Sequence, residues 1–301
     1  MGSLPSTPAK DAAHPANGTV KCHSCGSDVS ELVRHCPTCQ KDLGFPNVRA
    51  ATTPGEIEVL SRRFEAARKS ATGRGVQAEF DSLVSEVASK SYVVVAMPPL
   101  SARNLLFDPR EIFTGYEKLV ESGSRQPSSM QNDRDRCAVG GRLFGSFAKE
   151  ICCGVLSLDG TGLQNYGLVF LRLRDVAVDQ RVSFLEENSY HFLDHHNVPV
   201  RGALPQGYRS AWHNRGELAA AKIEPMLTAG SSAANWARQI VVQGATRSDD
   251  EFIEAHIYGG FDAKAVESVV CVGAGASRAE KIDIACIKEY MAKRRSPGGT
   301  T

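Results

Sequence analysis

The sequence predicts an α+β fold in which helices dominate the first half of the chain and short strands the second. Apolar residues recur at helical spacing in two stretches, first Ile57, Leu60 and Phe64 and then a second set after Gly73 and Gly75, namely Val76, Phe80, Leu83 and Val87. Short runs rich in β-branched and aromatic residues follow over 151–158, 166–173 and 181–185. Because helices and strands come in blocks and do not alternate regularly, an α+β domain is favoured over repeated βαβ units.

A cysteine-rich module precedes this domain. Two CxxC turns, Cys22-His-Ser-Cys25 and Cys36-Pro-Thr-Cys39, present four thiolates that can converge on a tetrahedral Zn²⁺ ion. A redox dithiol pair or two disulfides are the alternatives, and the doubled spacing disfavours both. A region this small cannot bury enough apolar surface to fold unaided, so a structural zinc ion would supply most of its folding free energy.

The predicted helices and strands divide the chain into five segments. Thr53-Pro54-Gly55-Glu56 has the pattern of a helix start, with a capping Thr, Pro in the first turn and Glu three residues after the cap. Further helices are predicted over 111–121, 133–149 and 217–227 and from about 279, and further strands over 92–97, 240–242, 252–258 and 268–272. The segments are a disordered N-terminus (1–19), the zinc knuckle (20–45), a helical connector (46–90), the main α+β domain (91–294) and a disordered tail (295–301).

Composition narrows the function classes. The chain has 301 residues and a formal net charge of +1, so no strong basic field indicates nucleic-acid binding. No apolar run is long enough to span a membrane, and no secretory signal is visible. The five cysteines outside the knuckle are an odd number, which argues against a disulfide framework. The expected zinc site therefore favours a reducing, cytoplasmic compartment. The opening Met1-Gly2 fits a loose myristoylation pattern, for which chance is the favoured explanation.

One late strand carries several titratable groups on one face. Strand alternation over 250–260 puts Phe252, Glu254, His256 and Tyr258 on one side of the sheet. An acid, an imidazole and a phenol in a row can be a solvated face. The same groups can also line a site, because Phe252 suggests partial cover and partly buried acids and imidazoles acquire shifted pKa values. The residues alone leave both interpretations open.

Two motifs together resemble a known family. The first is the Tyr166-Gly167 strand, then Arg181-Val-Ser183-Phe184 and an Asn188-Ser189 turn. The second is Glu254-Ala-His-Ile-Tyr-Gly259, about 80 residues later. In this order they resemble the ADP-ribosyltransferase-like toxin domains of polymorphic toxins and phage head-morphogenesis proteins, over roughly residues 100–272. The resemblance implies a mixed or antiparallel sheet and transfer of ADP-ribose from NAD⁺ to a macromolecule, or NAD⁺ hydrolysis.

The resemblance also implies roles for particular residues. Glu254 would stabilise the ribosyl oxocarbenium ion, with Ser183 and His256 as the other catalytic candidates. The NAD⁺-binding candidates are Arg142, Ser189, Tyr190 and Tyr258. The family's Arg or His on the first core strand is missing from 151–158, so Arg142 or Lys149 would replace it. Expected partners are a protein or nucleic-acid target and an antitoxin or immunity protein, with action in the cytoplasm, including that of a host cell.

Two other functions compete with this one. Asp194-His195-His196 resembles the triplet of DHH phosphoesterases, in which His and carboxylate groups bind divalent metals that activate water. The upstream Asp-x-Asp of that family is absent, so a polar loop with several histidines is preferred. The last alternative is a non-enzymatic zinc-ribbon adaptor whose large domain only binds a partner.

Overall fold

A computed structural model describes residues 19–123, 131–199 and 202–295. The predicted disordered ends at 1–19 and 295–301 lie outside these ranges except for their innermost residues. Thr19 begins the first strand and Arg295 ends the last helix. The myristoylation pattern at Gly2 also lies outside the described residues.

Eleven strands and eleven α-helices are present in the described residues. The strands are β1 (Thr19–Lys21), β2 (Asp28–Ser30), β3 (Tyr92–Met97), β4 (Ile151–Ser157), β5 (Val169–Leu173), β6 (Val182–Leu185), β7 (Arg209–Ala211), β8 (Val241–Val242), β9 (Glu251–Phe252), β10 (Glu254–Tyr258) and β11 (Val266–Cys271). The helices are α1 (Pro46–Ala51), α2 (Pro54–Gly73), α3 (Gln77–Lys90), α4 (Pro99–Phe107), α5 (Tyr116–Glu121), α6 (Gln131–Phe144), α7 (Asp175–Val178), α8 (Ser189–His195), α9 (Arg215–Ile223), α10 (Ala233–Ile240) and α11 (Arg278–Arg295).

A seven-stranded sheet forms the centre of the main domain, in the order β11-β5-β3-β4-β10-β6-β7. Every described pair of neighbouring strands is antiparallel. The predicted α+β class is therefore confirmed. β10 lies between β4 and β6, and this register places His256 directly opposite both Cys153 and Ser183.

The main hydrophobic core lies on one face of this sheet. Alternate strand residues such as Val95, Phe184 and Ile257 pack there against Phe80 and Leu83 of α3. Helices α9 and α11 and the apolar face of α2 contribute to the same buried cluster. Helices α2 and α3, which lie in the segment expected from the sequence as a connector, thus share one hydrophobic core with the sheet. The reason is that their apolar stripe has no other surface to cover.

The opposite face of the sheet is covered by two separate apolar clusters. Val94, Val155, Phe170 and Phe252 form a second apolar cluster with Leu163. A third cluster joins α6 and α8 to the sheet through Leu143, Leu185, Phe192, Leu193 and Val198. In the strand register Glu254 lies opposite Val155 on one side and Leu185 on the other. Polar side chains of β10 therefore lie between two apolar clusters.

Several helices differ from the prediction. The helix expected over 111–121 begins only at Tyr116, and that expected over 133–149 ends as an α-helix at Phe144, where Gly145 has φ 55° and a 3-10 turn continues to Glu150. The helix expected over 217–227 is α9, which ends at Ile223, and the short helices α1, α7, α8 and α10 are not predicted. Nor is α4, because Pro98-Pro99 indicates only a strand end in the sequence. Pro99 in fact starts the helix, where its missing N–H is unneeded.

The packing of α2 is stabilised by ion pairs to the second half of the chain. The predicted cap is present, with Thr53 accepting a hydrogen bond from the Glu56 backbone N–H at 3.4 Å. The fully buried Glu56 side chain bonds Arg209 Nε at 2.8 Å and the Gly207 backbone N–H at 2.6 Å. Arg63, farther along α2, forms a bidentate pair with Glu186 at 2.5 and 2.7 Å. These contacts fix the start of β7 and the end of β6 against the helix.

Among the described residues, no helix has both the length and the apolar character needed to cross a membrane.

The shared core gives a stability prediction. Leu83→Ala should lower the free energy of unfolding by about 2–5 kcal/mol, because it leaves a cavity under the sheet. Ile57→Ala, at a half-exposed position of α2, should change it by less than about 0.5 kcal/mol. Chemical denaturation followed by circular dichroism and tryptophan fluorescence measures both. If α3 is an independent connector, Leu83→Ala leaves the unfolding of the sheet unchanged, which would contradict the shared core.

Candidate functional site

The four cysteines of the N-terminal module form one cluster. Cys22 Sγ lies 3.6 Å from Cys39 Sγ, and Cys25 Sγ lies 3.6 Å from Cys36 Sγ. Four sulfurs bound to zinc at about 2.3 Å would be separated by about 3.8 Å, so the observed spacing fits a tetrahedral ion. Gly26 and Gly44 adopt positive φ values of 73° and 75°, which allows the tight turns after each knuckle. The cluster could hold a metal ion.

The cysteine module is held against the main domain by α1. The Arg49 side chain donates to the carbonyl oxygens of Val33 at 3.0 Å and Gly44 at 2.6 Å, and also to that of Glu31. The Glu31 carboxylate accepts a hydrogen bond from the Ser146 hydroxyl, which lies in the 3-10 turn after α6. The position of α1 therefore depends on the folded knuckle.

Asn47 of α1 reaches the sheet next to the polar residues of β10. Its side-chain Nδ2 lies 2.8 Å from the His256 carbonyl oxygen, 3.1 Å from Ser183 Oγ and 3.0 Å from the Arg181 carbonyl oxygen. Asn47 is only 2% exposed, and its Oδ1 has no hydrogen-bond partner among the described residues. Through this single side chain, α1 contacts two of the residues singled out in the sequence, Ser183 and His256.

Glu254 is the centre of the candidate site. Its carboxylate oxygen Oε2 accepts a hydrogen bond from the Ser189 backbone N–H at 2.8 Å and another from the Ser189 hydroxyl. The same oxygen lies 3.5 Å from His256 Nε2. Glu254 and His256 are 8% and 2% exposed. The solvated-face interpretation of Glu254 and His256 is therefore excluded, and the Glu254 carboxylate faces Ser189 at the start of α8.

Contacts of the carboxylate favour its charged form. Burial by itself raises the pKa of Glu254, but the hydrogen bond and charge of His256 and the two donors of Ser189 outweigh it. The net result is a pKa below the ordinary value of a glutamate. Because Ser189 is the first residue of α8, the backbone N–H that it donates is also one that the helix itself cannot satisfy. The site thus holds a buried, ionised carboxylate.

A small void lies beside these residues. It has a volume of about 10 Å³ and is lined by Asn47, Ala50, Leu143, Phe144, Ser183, Leu185, Arg209 and His256. This is about the space that one water molecule needs. The Phe144 ring lines the void and packs edge-on against the His256 imidazole, with centroids 4.7 Å apart and planes at 80°. In this conformation the site is closed.

The remaining NAD⁺-binding candidates lie around this centre and not within it. Tyr258 is half-buried and packs against Phe45 at 5.5 Å, and burial raises the pKa of its phenol. Tyr190 has its side chain at the surface. Arg142 is half-buried on α6, and its Nε has no hydrogen-bond partner among the described residues. Lys149, its suggested substitute, pairs with Glu121 at 3.5 Å.

The Asp194-His195-His196 triplet lies at the end of α8 and not in the expected polar loop. His195 Nδ1 lies 2.8 Å from Glu187, and the His196 ring packs on Tyr208 at 4.4 Å. Asp194 is exposed. Of the metal-ligating clusters that the described residues form, none includes the triplet. The geometry gives no support to a phosphoesterase site here.

Two residues of the site are not predicted by the sequence. Asn47 lies in a predicted linker, and nothing in its neighbours indicates that it contacts β10, about 200 positions later. Cys153 follows Cys152 in a run that predicts buried strand. In the structure Cys152 is buried and burial raises the pKa of its thiol to about 12, whereas Cys153 is exposed on the face of Glu254. The available signal was strand alternation, which places the neighbouring residues Cys152 and Cys153 on opposite faces of the sheet.

Comparisons with known proteins do not assign a family. No protein-family model matches the chain, and no curated protein matches it.

The buried carboxylate predicts a pH-dependent contribution to stability. The folded-state pKa of Glu254 is lowered, so this contribution is present above the ordinary pKa of a glutamate and is lost as the pH falls through the lowered value. The Glu254→Gln variant lacks this contribution, because its side-chain amide does not titrate. Urea unfolding of both proteins from about pH 7 down to about pH 3 should show the gap in unfolding free energy narrowing as acid is added. A gap that stays constant would show that the charge of Glu254 contributes nothing.

Proposed function

We propose that the main domain cleaves NAD⁺ and transfers the ADP-ribosyl group to a macromolecule or to water, with Glu254 as its central carboxylate. The observation that carries the proposal is the ionised Glu254 side chain, buried on a central strand and fixed by Ser189 and His256. The motif resemblance in the sequence assigns this residue the same role.

The chemistry needs such a group. As the bond between the ribose carbon and nicotinamide nitrogen breaks, its electron pair leaves with nicotinamide and positive charge develops on the ribose. A carboxylate already in place stabilises that charge without reorganisation. An acceptor oxygen or nitrogen then forms the new bond to the same carbon and gives up its proton to the Glu254 carboxylate, beside which His256 lies.

Substrate binding requires the site to open. Ligand pockets usually measure about 300–1,000 Å³, whereas the void beside His256 measures about 10 Å³. Phe144 and Leu143 close it, and both belong to the last turn of α6. In the proposed function these two side chains move away when nicotinamide enters. Ser183, which also lines the void, would then contact the nicotinamide.

In the proposed function, zinc in the four-cysteine cluster has a structural role. Four thiolates with the observed spacing suit Zn²⁺, and Arg49 and Asn47 then connect the folded knuckle to Ser183 and β10. The described cysteines form no disulfide, which together with a thiolate metal site favours a reducing compartment, hence action in the cytoplasm of this cell or of a host. The acceptor is a protein or nucleic acid, and a toxin of this type would require an antitoxin or immunity protein.

Glu254→Gln tests the proposal directly. The change keeps the shape and most hydrogen bonding but removes the charge, so nicotinamide release from NAD⁺ should fall at least about a hundredfold. Glu267→Gln is the matched control, because Glu267 lies on β11 and pairs with Arg172. Release is measured by chromatography with and without EDTA. Full activity in Glu254→Gln, or no release by the unaltered protein under any condition, would overturn the proposal.

Cys36→Ser tests the link between knuckle and site. The variant should lose one equivalent of bound zinc by elemental analysis and should also release nicotinamide more slowly, since α1 no longer holds Asn47 against Ser183. Cys286→Ser, a change on α11, should do neither. Freshly purified protein with less than about half an equivalent of zinc would contradict a closed site of four thiolates.

A further inference from the structure

A second cluster of metal-ligating side chains lies on the sheet, separate from the cysteine knuckle. It consists of Cys153 on β4 and of Glu254 and His256 on β10. One ligand atom from each residue lies within 4.8 Å of the other two. Cys153 and His256 are directly opposite each other in the strand register, and Glu254 follows on the same face. Rigid neighbouring strands therefore hold all three groups.

We propose that Cys153, Glu254 and His256 bind a zinc ion with an open fourth position. Sulfur, imidazole nitrogen and carboxylate oxygen are the three ligand types that zinc takes in proteins. Glu254 Oε2 and His256 Nε2 are 3.5 Å apart. Two ligands bound to zinc at about 2.0–2.1 Å in tetrahedral geometry would be about 3.4 Å apart. Two of the three ligands therefore already have the spacing of a zinc site.

The contacts of the Glu254 carboxylate leave room for a cation as a partner. Among the described residues, Ser189 and His256 contact this carboxylate, and no Lys or Arg side chain pairs with it. Buried charges in proteins are paired or coordinate metals, and a divalent cation between Cys153, Glu254 and His256 would coordinate this one.

Access to the cluster comes from the side of Cys153. Its side chain is exposed, whereas Glu254 and His256 are buried. An ion would therefore enter past the thiol, which loses its proton to solvent on binding, and the fourth position would face water. Three protein ligands plus a water is the arrangement of zinc sites that remain reactive or exchangeable.

The proposed metal site is distinct from the proposed NAD⁺ chemistry. A metal ion bound to Glu254 would occupy the place beside the carboxylate that the oxocarbenium ion needs. A second zinc equivalent should therefore inhibit nicotinamide release, and a chelator that removes only this equivalent should restore it. Metal binding is measured without NAD⁺, so failure of the metal site leaves the proposed function standing, and failure of the NAD⁺ reaction leaves the metal site standing.

The experiment titrates Zn²⁺ by calorimetry into full-length protein that already holds one equivalent in the four-cysteine cluster. The unaltered chain should bind one further equivalent with release of a thiol proton, seen as a heat that changes with the ionisation enthalpy of the buffer. Cys153→Ser and Glu254→Gln should each weaken this equivalent by more than about a hundredfold. Cys286→Ser, at a partly exposed cysteine on α11, should bind it normally.

Two controls make the outcome decisive. Thermal unfolding of each variant shows whether it is folded, and the exposed position of Cys153 makes the serine substitution mild. Elemental analysis before the titration confirms that each protein starts with one equivalent of zinc. The proposal is overturned if the unaltered chain binds only one equivalent, or if folded Cys153→Ser and Glu254→Gln both bind the second equivalent unchanged.

Discussion

A carboxylate buried in the middle of a sheet has to be held by groups that replace water, and this requirement organises one half of the domain. Glu254 meets it with two donors from Ser189 and with the His256 imidazole. The first turn of α8 must therefore lie against β10. The apolar residues of α8, Phe192 and Leu193, then pack with Leu185 and α6 and so cover this face of the sheet. Without Glu254, the start of α8 would lose its connection to the strand.

The same site connects the two ends of the chain. α1 directly follows the cysteine knuckle, and two of its side chains form hydrogen bonds to different parts of the molecule. Arg49 binds the carbonyl groups of the knuckle, and Asn47 binds the sheet beside Ser183 and His256. A metal in the cysteine cluster would stabilise the knuckle and, through it, the position of Asn47. A metal that only holds a small module together can thus influence a site in the larger domain.

The closed state of the site has a specific cause. Phe144 lies edge-on to His256 and, with Leu143, leaves space for about one water molecule. Both side chains belong to the end of α6, just before Gly145, whose positive φ ends the helix. A large substrate and a small ion would reach the site by different routes. In the proposed function NAD⁺ would have to displace Phe144, whereas the proposed metal ion would approach past the exposed Cys153.

Much of this architecture follows from local sequence. The spacing of Cys22, Cys25, Cys36 and Cys39 predicts their convergence, because a CxxC turn fixes two thiols on its own. The apolar periodicity of α2 and α3 and the alternation of β10 predict their elements and the shared face of Glu254 and His256, since both periods are backbone properties. The hydrophobic core that α2 and α3 share with the sheet does not follow from the sequence, because an apolar stripe on a helix does not show which surface it packs against.

Only the tertiary structure decided which groups meet. Cys153 joins Glu254 and His256 through the pairing of β4 with β10, about 100 residues apart, and Asn47 joins them from a segment that contains no motif. The burial of Glu254 was likewise undetermined, because it depends on α6 and α8 packing over one end of the sheet. Strand order and helix docking are set by the sum of many long-range contacts. The sequence by itself therefore determined α2, α3, the face of β10 that carries Glu254 and the thiol cluster, and the fold determined the site.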